Sequence, residues 1–130
     1  MKPVSVLLID DDRAVAQLIR RYLLEHGFAD IVWLASTADE ALAQAETTEP
    51  DVILLDIGMP RVTGLELLPR LRAARPDVPI VMLTGWVAPQ YADAARLAGA
   101  DGFVAKTRFS RELMPAIRRA VRAAPKTGDA

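Results

Sequence analysis

The sequence predicts an α/β domain built on one open, doubly wound sheet of five parallel strands with helices on both faces. Three features carry this expectation. Short apolar runs rich in β-branched residues alternate with longer stretches whose apolar positions recur at helical spacing, the pattern of repeated βα units. The run Val52 to Leu55 is wholly apolar, as befits a parallel strand covered on both faces. Isolated polar residues then fall directly after strands, on the edge where open parallel sheets bind ligands.

Taken in order, Val4 to Ile9 reads as the first strand. Asp12 is the helix-entry residue beyond it, suited to the first-turn amides. The stripe Val15, Leu18, Ile19, Tyr22 and Leu23 then predicts an amphipathic helix that stops at Gly27. Ile31 to Ala35 make a second strand, with Trp33 packed within it. Thr37-Ala38-Asp39-Glu40 fits a capping box opening a helix with Ala41, Leu42 and Ala45 inward. After the third strand, Val52 to Leu55, Thr63-Gly64-Leu65-Glu66 resembles a second capping box. The helix it opens turns Leu65, Leu68 and Leu71 inward, and Pro69 removes one early backbone bond. Ile80 to Leu83 form a fourth strand, and an Ala-rich helix runs from about Gln90 to Leu97 before Gly99. Phe103 to Ala105 form the fifth strand. The last helix is expected to open near Ser110, as N-cap, with Leu113, Ile117, Ala120 and Val121 inward and Pro115 a second early irregularity. The domain is expected to occupy residues 1–123, and 124–130 to form a disordered tail or linker.

Composition narrows the function classes. A chain of 130 residues fits one domain that buries roughly two thirds of its extended surface, enough for a core without staples. With 16 basic against 17 acidic residues the formal charge is −1, which gives no push toward nucleic acid or an anionic membrane. The absence of Cys excludes disulfide frameworks, thiolate nucleophiles and Cys-based zinc sites together. No apolar run approaches the roughly 20 residues that span a bilayer. The expectation is a soluble cytoplasmic domain with no direct nucleic-acid or membrane contact.

The candidate chemistry lies at strand ends. Asp10 and Asp11 follow the first strand, Asp56 the third, Thr84 the fourth and Lys106 the fifth, so all five share one edge of the sheet. Singly, an acid after a strand is ordinarily a helix cap, and a Lys there is ordinarily solvated. Jointly they fit a site. Three consecutive carboxylates, Asp10 to Asp12, repel unless water or a cation screens them. If Asp10, Asp11 and Asp56 converge, their oxygens suit a hard cation such as Mg²⁺ and argue against zinc. Lys106 offers a cation and Thr84 a hydroxyl donor, as a phosphoryl group of about −2 charge requires. A carboxylate kept ionised in that setting can attack phosphorus to give an acyl phosphate, and Asp56, after the central strand, is the best candidate nucleophile.

The remaining signals are weaker. His26 is the only histidine, and a favourable contact with a helix C-terminus explains it; one imidazole supplies neither a metal motif nor a Ser-His-Asp triad. No phosphate-cradling glycine loop follows the first strand, so nucleotide binding is not expected. Arg118, Arg119 and Arg122 read as a solvated basic face.

Four stretches in order resemble the response-regulator receiver domain of two-component signalling: Val-Leu-Leu-Ile-Asp-Asp-Asp, Asp-Val-Ile-Leu-Leu-Asp-Ile-Gly-Met-Pro, Val-Met-Leu-Thr-Gly and Gly-Ala-Asp-Gly-Phe-Val-Ala-Lys. The resemblance covers about Val4 to Arg122. It implies a flavodoxin-like three-layer fold with strand order 2-1-3-4-5. It further implies that Asp56 accepts a phosphoryl group from the phosphohistidine of a sensor histidine kinase or phosphotransfer protein. Asp11 and the backbone carbonyl of Gly58 would join Asp56 as Mg²⁺ ligands, with Asp10 holding metal-bound water. Lys106 would contact the phosphoryl oxygens and Thr84 would move toward them. Phe103 matches the family's switch aromatic, which turns inward and remodels the face made by the fourth helix, fifth strand and fifth helix. The alternative for Phe103 is an ordinary core aromatic. Homodimerisation through that face, and a downstream effector or output domain, follow from the resemblance alone.

The sequence also departs from the family pattern. Thr107 follows Lys106 where many receivers place a Pro and use a cis peptide to aim the Lys. Without Pro a cis bond costs about 3 kcal/mol more, and the sequence leaves both isomers open. Gly58 and Trp86 occupy positions that in the family tune hydrolysis of the acyl phosphate, and neither polarises a water; Trp86 is expected to shield the phosphoryl group. On this reading the chain is no enzyme beyond its own phosphotransfer and autodephosphorylation. The competing readings are the excised receiver of a DNA-binding regulator, an interaction module that never receives phosphate, and a metal-dependent phosphatase. The last needs a second acid two residues after Asp56, where Gly58 stands.

Overall fold

The computed structural model describes residues 2–85 and 89–123, the side chains of 89–92 excepted. The expectations for Trp86 and for the tail at 124–130 lie outside the described residues. Five strands, β1 (Val4–Ile9), β2 (Ala29–Ala35), β3 (Val52–Asp56), β4 (Ile80–Thr84) and β5 (Gly102–Ala105), pair in parallel in the order β2-β1-β3-β4-β5. They alternate with α1 (Arg13–Glu25), α2 (Ala38–Thr47), α3 (Gly64–Ala74), α4 (Pro89–Leu97) and α5 (Phe109–Ala123), and a 3₁₀ turn at Lys106–Arg108 joins β5 to α5. The predicted fold class and strand order are those observed. Strand order reverses between β1 and β3, and the crevice at that point opens beyond their C-terminal ends.

The period-2 alternation of the strands sorts their side chains onto two cores. Val6 and Leu8 of β1, Val52 and Leu54 of β3, and Val81 and Leu83 of β4 pack with α1 and α5. Leu7, Ile9, Ile53, Leu55, Ile80 and Met82 pack on the opposite face with α2, α3 and α4. β3 and β4 are buried along their whole length, which is why both read as unbroken apolar runs.

The starts of α1, α2 and α3 follow the predicted chemistry. Asp12 accepts from the Val15 N–H at 3.2 Å and caps α1. Thr37 caps α2 and Thr63 caps α3, each accepting from the N–H three residues on. Glu40 reaches one residue further back than a reciprocal box requires, taking the Ser36 N–H at 2.9 Å. α1 ends at a His26 cap, whose Nδ1 lies 2.9 Å from the Tyr22 carbonyl oxygen, and Gly27 follows at a left-handed φ of 66°. Trp33 is half-buried against the α2 side.

Two expectations are corrected. Leu18 is 54% exposed, and the inward stripe of α1 runs through Ala16, Ile19 and Leu23. Adjacent residues sit about 100° apart around a helix, so burying Ile19 turns Leu18 to the flank. Ser110 does not cap α5, because that helix begins at Phe109 and Ser110 lies exposed in its first turn. The 3₁₀ turn takes the place of a cap, with the Phe109 N–H donating to the Lys106 carbonyl oxygen. The described peptide bonds are all trans, Lys106–Thr107 among them.

Candidate functional site

Asp56 and Thr84 are the last residues of β3 and β4, and Asp10 and Lys106 directly follow β1 and β5. Their convergence follows from strand parity. Asp56 continues the alternation of Val52 and Leu54, and Lys106 that of Val104, so both point to the α1/α5 side; Asp10 continues Val6 and Leu8 in the same way. The Asp10 N–H donates to the Ala35 carbonyl oxygen at 3.0 Å, which holds it in the β1–β2 ladder beyond the strand's formal end.

The result is a compact charged cluster. Lys106 Nζ lies 2.7 Å from Asp10 Oδ2 and 3.3 Å from Asp56 Oδ1. Asp10 and Asp56 are buried, at 2% and 4% exposure, whereas Asp11 is exposed at the rim. Asp10 Oδ1 accepts from the Asp12 N–H at 2.9 Å, and Asp56 Oδ1 from the Gly58 N–H at 3.1 Å. Burial pushes the Asp56 carboxyl up to about 6, reinforced by the Asp10 charge and opposed by the Gly58 N–H and Lys106. Burial draws Lys106 down, but the hydrogen bond from its ammonium to Asp10 and the Asp56 and Asp10 charges outweigh it and leave its pKa raised.

One carboxylate oxygen from each of Asp10, Asp11 and Asp56 lies within 4.8 Å of the others. Asp10 Oδ2 is fully buried and, beyond its ion pair with Lys106, has no hydrogen-bond partner among the described residues. Oxygen-only donors and an under-satisfied acceptor fit a hard divalent cation. The three acids could hold Mg²⁺ with water filling the remaining positions.

Beside the cluster, a cleft of about 320 Å³ is lined by Asp56, Ile57, Gly58, Thr63, Leu65, Thr84 and Gly85. The structure thus brings Asp10, Asp11, Asp56 and Lys106 together, and sets Thr84 and Gly58 in the wall next to Asp56. A Cβ on Gly58 would face the Asp56 carboxylate oxygens at 3.7 and 4.0 Å, so this position looks directly at the candidate nucleophile. Phe103 stands apart, half-buried against the α2–α4 core. Its strand nevertheless pairs with β4, where Met82 faces Phe103 and Thr84 faces Ala105, so Thr84 and Phe103 share one face of adjacent strands.

One residue that shapes the site was not singled out from sequence. Gly64 opens α3 and donates its N–H to the Ile57 carbonyl oxygen at 3.0 Å, closing the loop that leaves Asp56. A side chain there would collide with the Asp56 carbonyl oxygen and sit 2.8 Å from Ile57 Cα. A glycine in a helix's first turn, where nothing in a capping box demands one, is the signal that could have revealed it.

Comparison with known proteins agrees with this geometry. Residues 6–118 match the family model of the response regulator receiver domain. Response regulator MprA of Mycolicibacterium vanbaalenii is 38% identical over 120 residues, which cover 92% of this chain and 51% of that protein. The chain therefore spans about half the length of the curated relatives it matches. A CheY-like receiver domain protein from Methanospirillum hungatei superposes with a TM-score of 0.81 at 30% identity, covering 92% of this chain and 94% of that one. A response regulator from Burkholderia pseudomallei, solved with a phosphorylated aspartic acid, a calcium ion and citrate, gives 0.80 at 30% identity, covering 91% and 68%. Agreement in sequence along nearly the whole chain and in strand order leads to one assignment, and the chain belongs to the response regulator receiver domains of two-component signalling.

Proposed function

We propose that this domain is a phosphorylation switch whose phosphoacceptor is Asp56 and whose donor is the phosphohistidine of a histidine kinase or phosphotransfer protein. The observation that carries this reading is the Lys106 ammonium shared between Asp10 and Asp56, beside three carboxylates whose oxygens lie within 4.8 Å. An Asp56 oxygen attacks phosphorus, the P–N bond breaks with its electron pair staying on nitrogen, and the acyl phosphate forms while the donor imidazole, already protonated on its other ring nitrogen, departs as the neutral base. Lys106 neutralises the phosphoryl oxygens and Thr84 donates its hydroxyl to them. Asp11, Asp56 and the Gly58 carbonyl are the proposed direct Mg²⁺ ligands, and Asp10 orients water there. Mg²⁺, when bound, offsets the negative charge that gathers between donor and acceptor. The Burkholderia pseudomallei relative, with its phosphorylated aspartic acid and divalent cation, supports both parts of the reading.

The output follows from Thr84 and Phe103 sharing a sheet face. Movement of Thr84 toward a phosphoryl group frees space for the Phe103 ring and biases the α4-β5-α5 surface between two states. A dimer through that surface is one outlet. Because the MprA relatives are about twice as long, control of an attached output domain such as a DNA-binding one is the second. The phosphatase reading loses ground, since Gly58 brings no acid to the position that would need one.

Incubation with Mg²⁺ and acetyl phosphate followed by intact mass tests the core of this proposal. One added phosphoryl group, absent in Asp56→Asn and without Mg²⁺, is expected. An unmodified chain, or equal labelling of Asp56→Asn, would sink it and leave a phosphate-independent interaction module.

A further inference from the structure

We propose that Tyr22, on α1, is a positioning residue that aims Lys106 at the acids through α5. The inference rests on the role given to Lys106 above. The Lys106–Arg108 turn contains no buried residue, and no side chain caps it. Apart from the ion pairs of Lys106 with Asp10 and Asp56 and of Arg108 with Glu112, its placement therefore comes from its two flanks. Upstream, Ala105 is buried and paired with Thr84, which fixes the strand side. Downstream, the Phe109 N–H ties back to the Lys106 carbonyl oxygen, so the position of Phe109 and Ser110 sets the other side.

Tyr22 holds both of these residues. Its hydroxyl donates to the Ser110 carbonyl oxygen at 2.8 Å, across 88 residues of sequence, and its ring meets Phe109 edge-on at 5.3 Å. Tyr22 is itself fixed by the buried Ile19 and Leu23 on its helix and by the His26 ring at 4.1 Å. α1 begins two residues after Asp11, and α5 begins three residues after Lys106. Tyr22 therefore joins the helix that starts at the acids to the helix that starts at the ammonium. No proline stiffens the turn, so this tether adds to the core packing of Leu113, Ala116 and Ile117 on α5 in restraining the backbone from which the flexible Lys stem projects.

The test compares the whole 130-residue chain with Tyr22→Phe, Phe109→Leu and the control Arg118→Ala. Arg118 braces the far part of α5, its guanidinium 5.4 Å from the centre of the Phe28 ring. Two readouts are taken: the NMR signal of the Lys106 ε-methylene, and the rate of acetyl phosphate labelling at saturating donor. Tyr22→Phe is expected to move the Lys106 signal toward that of solvated lysines and to slow labelling roughly threefold to tenfold, the equivalent of about one hydrogen bond. Phe109→Leu should do likewise, and Arg118→Ala should change neither. A Lys106 signal unmoved in both Tyr22→Phe and Phe109→Leu overturns the proposal, as does one moved equally by Arg118→Ala. If the wild-type chain takes no phosphoryl group, the proposed function fails while the Lys106 signal still decides the tether.

Discussion

Lys106 Nζ lies closer to Asp10 Oδ2, at 2.7 Å, than to Asp56 Oδ1, at 3.3 Å, so the ammonium leans toward the acid that is not the proposed phosphoacceptor. Its removal would strand two buried carboxylates. Lys106→Ala is expected to cost about 2 kcal/mol near pH 7, because an uncompensated buried charge costs more than the lost pair returns. The loss should shrink near pH 5, where a protonated acid needs no partner. Urea unfolding at both pH values checks this, and an equal loss at both would contradict it.

Asp56 predicts a pH dependence of the metal-free domain. Its folded pKa of about 6 lies above the ordinary 3.8, so between those values the native state holds more protons than the unfolded chain. Stability from this group is therefore present at low pH and is lost as pH rises through the folded pKa. Asp56→Asn removes the cost, and a gain of roughly 1–3 kcal/mol is expected at pH 7, fading toward pH 4. Thermal melts of the two proteins across that range, with chelator present, would show the curves converging on the acid side. Parallel curves would refute the raised pKa.

Gly64 is expected to tolerate no side chain. Ala at this position must push the start of α3 away from the backbone of Asp56 and Ile57. A loss of about 2–3 kcal/mol is expected from the overpacking. Phosphoryl transfer should slow as the end of β3 shifts. Denaturant midpoints and labelling rates report the two effects separately, and a wild-type value for both would show that the loop yields freely.

Arg72 ties together the opposite edge of the sheet. From α3 its guanidinium donates to the Val78 carbonyl oxygen at 2.6 Å, the Gly99 carbonyl oxygen at 2.9 Å and Asp101 Oδ2 at 2.6 Å. Asp101 in turn accepts from the Ile80 N–H at the start of β4. Arg72→Ala is expected to cost about 2 kcal/mol, and Arg72→Lys nearly as much, because a point charge cannot reproduce the fork. Since the network is remote from Asp56, labelling by acetyl phosphate should be unchanged in either variant. Stability measured by urea, set against labelling rate, tests that separation.

Much of this molecule was legible along the chain. β1 is found at its predicted bounds, and β3 and β4 each gain the polar residue that follows the predicted run. Periodicity works here because the inner strands β3 and β4 are buried on both faces and the helices bury one stripe, so hydrophobicity maps directly onto position. The same logic fails at Leu18, because an apolar residue on the flank of a helical stripe fits the inward spacing and still faces solvent. It also misplaced the start of α5, because a 3₁₀ turn leaves no sequence signature of its own.

Local order along the chain thus set the alternation of strands and helices and put five polar residues at one end of the strands. That much needs only hydrophobic periodicity and capping chemistry, both of which act over a few residues. Which acid Lys106 lies nearer to and the reach of Tyr22 to Ser110 depend on residues 96 and 88 positions apart being packed at ångström precision, and the contact between Gly64 and the Asp56 backbone depends on how the loop between them closes. Such distances arise from how rigid elements settle against two shared cores, and no short stretch of sequence encodes them.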